Sequence, residues 1–347
     1  MLYVTTRSKN DAFTVYRTIH QDRGPDGGLF LPMRMPAFSA EEVSALATKT
    51  FGQNVAEILN HFFGTNLTGW DVDMAIGRYP TALHSMHHRT LICELWHNEQ
   101  NRFDYAVEAL AKRLRPVDSC MASASDWVQM TVRFAVLFGG FGELLRRGQV
   151  DVEHPLDVVV TSGSFSAPMA AWYARFMGLP IGTIICGCNE NGAIWDLFHR
   201  GEVDTDALTI PTSTPDADFG LPPALERLIS AVLGFDEAAR YSWICAEGGT
   251  YTPPEGKLDD LKNGMVAAVV SGARVNTIIS SVYRTNRYIL NPYSALAYGA
   301  LSDYRSRTGF GGAALLLIER SPLCNAQLVA KTMNITPDEL TKRMEEM

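Results

Sequence analysis

The sequence predicts an α/β fold, a mostly parallel sheet flanked by helices, and three observations predict it. Residues 157–161 (Asp-Val-Val-Val-Thr) form a β-branched run suited to a buried parallel strand, and 178–186 supply a second strand. Between them, 162–167 read as a loop and about 168–176 as a helix, so strand, loop, helix and strand make one βαβ unit. Residues 265–271 and 312–318 are two further apolar runs of buried-strand length.

The first 90 residues read as short elements rich in helix formers, a mainly helical N-terminal region. Within it, 25–32 (Pro-Asp-Gly-Gly-Leu-Phe-Leu-Pro) are a turn followed by a short extended run, because the two glycines supply the positive φ angles of a tight turn. Ser39 before Ala-Glu-Glu-Val is an N-cap with acidic residues in the first turn, the start of a helix. Residues 56–63 carry apolar side chains at helical spacing. A longer helix is expected over 128–147, stopped by Arg146-Arg147-Gly148. Thr336-Pro-Asp-Glu339 is a capping box with proline at the first helical position, opening a short terminal helix. The chain divides into 1–90, 91–127, 128–330 and 331–347, with no internal repeat.

The chain has 347 residues and a formal charge of −8. An acidic balance argues against a nucleic-acid or anionic-membrane surface. No apolar run reaches signal-peptide or bilayer-spanning length, so a cytoplasmic protein is expected. The six cysteines are dispersed; Cys186-Gly-Cys188 lacks the spacing of a zinc knuckle or redox pair, and all read as reduced core thiols. Of 30 basic residues only seven are lysines.

Two segments could carry chemistry. Ser162-Gly163-Ser164-Phe165-Ser166 joins a strand to a helix, and free backbone N–H groups there, with small hydroxylated side chains, suit an anion; an ordinary βα turn is the alternative. Residues 94–104 gather Glu94, His97, Glu99, Arg102 and Asp104 around Trp96 and Phe103, where a solvated helix start is the alternative. His84, His87 and His88 lack the spacing of a zinc site, and no metal is expected.

Set in order, Tyr3-Val-Thr-Thr-Arg7, the 25–32 segment, Glu94-Leu-Trp-His97, Trp127, Thr161-Ser-Gly-Ser-Phe165, Met177-Gly-Leu-Pro180, Asn189-Glu190-Asn191 and Asn291-Pro292 resemble the motifs of threonine synthases over about residues 1–330. The resemblance implies a fold-type II pyridoxal-phosphate (PLP) enzyme architecture, like threonine synthase and the tryptophan synthase β chain. It further implies a family reaction that converts phosphohomoserine to threonine. On this reading 1–90 are the family's N-terminal region, 91–127 the remnant of a truncated small domain, 128–330 the large α/β domain and 331–347 a C-terminal helix.

The departures bear on chemistry. Aligned on Glu94–His97 and Phe103, the Schiff-base lysine position holds Asp104, and an aspartate cannot form an imine. The family's substrate-gripping loop is absent from the 23 residues between Phe103 and Trp127. Its pyridine-facing threonine segment aligns with Glu319-Arg-Ser-Pro. The expectation is therefore a scaffold that does not use PLP covalently, with non-covalent PLP or phosphate left open. One reading is a repurposed, PLP-independent enzyme working by acid–base chemistry of elimination, isomerisation or hydration type. Asp104, His97, Glu99, Arg102 and Tyr293 would be its catalytic groups. Ser162, Gly163, Ser164, Phe165, Ser166, Asn189, Glu190, Asn191 and Glu319 would bind a phosphorylated or amino-acid-like small molecule. The alternative is a catalytically silent protein that binds a ligand or partner, with the 134–141 run as a candidate apolar patch, although a plain core helix is the favoured reading of that run; a third is a PLP enzyme using another lysine. A homodimer is compatible with each.

Overall fold

The computed structural model describes residues 1–77, 83–114 and 124–346. Its strands are β1 (Leu2–Thr5), β2 (Phe13–Thr14), β3 (Phe30–Pro32), β4 (Leu83–Met86), β5 (Thr90–Glu94), β6 (Leu156–Thr161), β7 (Ile181–Cys188), β8 (Val203–Asp204), β9 (Thr250–Tyr251), β10 (Met265–Val269) and β11 (Ala314–Ile318). Six of them form the central sheet in the order β10-β7-β6-β11-β5-β4. All neighbours are parallel except β4 and β5, which three residues join as an antiparallel hairpin at one edge. Parallel neighbours need long crossovers, and helices supply them on both faces.

The βαβ unit is present as expected, with the helix Ser166–Phe176 between β6 and β7. The N-terminal region is mainly helical as expected, with the helices Val15–His20, Ala40–Ala45, Phe51–Phe63 and Gly69–Ile76; β2-β1-β3 add a small antiparallel sheet, and the 25–32 segment is its turn and third strand. Ser39 forms a full capping box with Glu42. Thr336 caps the last helix through the Glu339 amide, with Pro337 first in the helix.

One core lies on the side of the helices Phe51–Phe63, Asp126–Arg146 and Ser166–Phe176. The other lies between the sheet and the helices Gly272–Asn286 and Pro292–Thr308. One expectation fails on the helix Asp126–Arg146. By length and composition it is apolar enough to cross a membrane, contrary to the sequence reading, but most of it is buried inside the fold. The 134–141 run takes the core-helix reading and not the surface patch, because Phe134, Val136, Leu137, Phe138 and Phe141 are all core residues. A helix packed on several sides must be apolar all round, so its composition alone does not reveal what covers it.

Of the cysteines, Cys93, Cys186 and Cys188 are core thiols as expected, while Cys245 is half-buried and Cys324 is exposed. Cys120 lies outside the described residues.

Candidate functional site

A cleft of about 350 Å³ opens at the carboxyl ends of β6 and β11, where open α/β sheets place their ligands. Backbone pairing builds its floor. Arg102 and Arg320 form an antiparallel bridge, and the Phe103 amide donates to the Glu319 carbonyl at 2.7 Å. The chain after β5 is thereby tied to the chain after β11, and Arg102, Asp104, Glu319 and Arg320 share one wall. The helix Asp126–Arg146 presents Gln129 and Arg133 one turn apart on a second wall. Tyr293, at the start of the helix Pro292–Thr308, and Asp216, on the turn Pro215–Ala217, close the rim.

Asp104 is the centre of an ionic network. Its carboxylate accepts from Arg102 at 3.0 Å, from Arg320 at 3.1 Å and from Arg133 at 3.4 Å. Arg133 also pairs with Glu319 at 3.3 Å, and Arg320 pairs with Asp216. The Tyr293 hydroxyl donates to Asp216 at 3.1 Å, and Arg320 lies over the Tyr293 ring at 4.8 Å. Burial alone would raise the Asp104 carboxyl, but Arg133, Arg102 and Arg320 pull it below the usual range, so it is ionised at neutral pH. Burial raises the Tyr293 hydroxyl, which keeps its proton.

The serine loop forms the opposite wall, with Ser162, Gly163, Ser164 and Ser166 lining the cleft. The loop turns sharply because Gly163 and Phe165 both adopt left-handed backbone angles, at φ 42° and 69°. Phe165 is wholly buried, so its ring anchors the loop rather than facing a ligand. The Ser164 hydroxyl donates to Ser166 at 3.0 Å at the mouth of the helix Ser166–Phe176.

Other expected site residues are elsewhere. His97 and Glu99 open onto a separate groove with Trp96 and Tyr105. There the His97 ring is within 2.6 Å of the buried Glu94 carboxylate, because a buried carboxylate needs donors. Asn189 and Asn191 tie the 205–220 connection through Thr212, Thr214, Asp218 and Ile210. Glu190 accepts the Gly272 amide at 2.8 Å. Arg133, Arg320, Asp216 and Gln129 were not anticipated. The one signal for Arg320 was its place beside Glu319 in the aligned segment; Arg133 and Asp216 carried none.

Covalent PLP needs a lysine amine at this place. All seven lysines are among the described residues, and none lines the cleft. Asp104, in the cleft, is instead a carboxylate engaged by three guanidiniums. The residues present do not fit the cofactor's Schiff base.

Several known proteins are similar to parts of this chain or to its fold. Residues 2–78 match the family model of the threonine synthase N terminus. The human protein threonine synthase-like 1 is 27% identical over 179 residues, 51% of this chain and 24% of the relative. The chain thus matches only about a quarter of that relative's length. A threonine synthase of Schizosaccharomyces pombe is 22% identical over 195 residues, 49% of this chain and 37% of the relative. Among solved structures, PLP-bound threonine synthase from Brucella melitensis superimposes with a TM-score of 0.80 at 18% identity, over 97% of this chain and 92% of that one. Threonine synthase from Escherichia coli gives 0.73 at 17% identity, over 99% and 94%. These likenesses place the fold among the fold-type II enzymes.

Proposed function

We propose, from the premise that the chain is a divergent member of the threonine synthase family, that its cleft takes a small amino-acid-like or phosphorylated molecule without covalent PLP. One observation carries the reading: Asp104 stands at the aligned lysine position, held ionised by Arg102, Arg133 and Arg320.

The cleft holds three guanidiniums and three carboxylates, those of Asp104, Asp216 and Glu319. A ligand carrying an ammonium and an acidic group exchanges internal ion pairs for its own. Its ammonium meets Asp104 or Asp216, and its phosphate or carboxylate meets the arginines and the serine loop. This arrangement serves recognition better than proton abstraction, because a carboxylate with a depressed pKa is a weak base. Acid–base catalysis is the second reading. The protonated Tyr293 hydroxyl favours it, as a proton donor on the cleft rim beside the Asp216 carboxylate.

Two measurements test the proposal. The purified chain mixed with PLP should show no internal aldimine band at the visible edge. Phosphohomoserine and related phosphorylated amino acids should raise Tm by about 3–4 °C at a hundredfold excess over Kd. A band that borohydride fixes onto a lysine overturns the reading.

A further inference from the structure

The same sheet carries a second cavity at its opposite end. It encloses about 400 Å³ at the amino ends of β5 and β11. Arg89, Arg305 and His88 line it together with the hydroxyl-bearing side chains Ser302, Ser306 and Tyr298. No carboxylate lines it, although the chain as a whole carries −8. The first cleft balances each arginine with an acid in its own lining; here the acid nearest in effect to Arg305, Asp157, stands outside the lining and accepts the Thr183 amide at 2.7 Å.

Two side chains make the imbalance specific. Arg305 donates to Thr90 Oγ1 at 2.7 Å and to the Gly312 carbonyl at 3.2 Å, which fixes the guanidinium across the starts of both strands. Its buried Nε has no acceptor. Arg89 is exposed, and its side chain makes no hydrogen bond or ion pair among the described residues. His88 and Arg89 hold consecutive left-handed backbone angles, φ 61° and 54°, which are uncommon for residues with side chains. That turn sets Arg89 on the cavity wall while its carbonyl accepts the Ala314 amide at 3.1 Å. The carboxyl end of the helix Pro292–Thr308 opposes an anion here, but two guanidiniums outweigh a helix end.

The cavity has an apolar flank. Phe310 and Leu301 line it, and Phe310 and Arg89 also border an adjoining cavity of about 780 Å³. The one carboxylate in that neighbour, Asp151, is engaged by His154 at 2.9 Å. We propose that this cavity binds a phosphoryl-bearing small molecule, its phosphoryl group held by Arg89 and Arg305 and its body against Phe310. The site is separate from the cleft of Asp104 and does not depend on the function given to that cleft.

Calorimetric titration of the whole chain tests it, with inorganic phosphate and adenosine monophosphate as probes at constant ionic strength in chloride. Ser166→Glu, which puts a carboxylate into the first cleft only, should keep one binding event of the same affinity as in the wild type, whatever the first cleft itself binds. Arg89→Gln and Ser306→Glu, at exposed positions, should each weaken it about tenfold. Tighter binding of the nucleotide assigns a phosphorylated organic ligand, and equal binding assigns the free anion. Absence of binding to the wild type, unchanged binding in Arg89→Gln, or loss in Ser166→Glu alone overturns the proposal.

Discussion

Replacing Asp104 by asparagine removes one charge while keeping the shape of the side chain. The three arginines facing it then meet two carboxylates, and the cleft passes from neutral to a net +1. Three contacts at 3.0, 3.1 and 3.4 Å weaken. The Asp104 side chain is 41% exposed, so solvent screens it and each contact is taken at the surface value of about 0.5 kcal/mol, not the several kcal/mol of a buried pair. The loss is about 1.5 kcal/mol. An unfolding entropy of about 2 cal/mol/K per residue over 347 residues makes that a fall of about 2 °C in Tm. The sign with pH follows from the depressed carboxyl: its stabilisation is complete above the unfolded value near 4 and disappears as pH falls through the lower folded value. Calorimetric melts of wild type and Asp104→Asn should therefore differ by a constant amount from pH 8 to pH 5. Equal melting at pH 7, or a difference that varies across that range, refutes the ionic network as described.

Two further outcomes are expected. Burial alone would raise Glu94, yet the His84 ring 3.6 Å away and hydrogen bonds from His97 and Tyr288 bring it down to about 2, and His84 is raised in return. A raised histidine stabilises fully below its unfolded value near 6.5 and loses that contribution as pH climbs through the folded value. His84→Gln should thus cost about 0.5 kcal/mol at pH 6 and nothing at pH 9, read from urea unfolding. Gly77 sits at φ 102°, and a β-carbon there would come within 1.7 Å of the His97 carbonyl oxygen, so Gly77→Ala should cost more than about 2 kcal/mol in the same assay.

The parts of this molecule that were legible in the sequence are those set by near neighbours. The β6 run, the Ser39 cap and the 25–32 turn follow from side-chain branching, capping chemistry and glycine, all acting within a few residues. Asp104 and Tyr293 could be placed in the cleft only because the resemblance supplied a register. The partners of Asp104 are another matter. Arg133 and Arg320 stand 29 and 216 residues away in the chain, and only the crossing of a helix and the pairing of two strand ends brings them together. His97 was misplaced for a related reason. Its chemistry suited a cleft, but the buried Glu94 beside it had a stronger claim on a donor, and burial is not visible along a sequence.

The charge balance of the first cleft has a consequence for how molecules arrive there. A site with three positive and three negative groups projects little field beyond a Debye length. A charged metabolite is therefore not drawn in from afar. It must enter by diffusion and then be sorted by where its own charges sit. Its association rate should vary little with salt, and discrimination should fall on dissociation: a molecule with its charges at the wrong spacing leaves the arginines to their carboxylates and escapes.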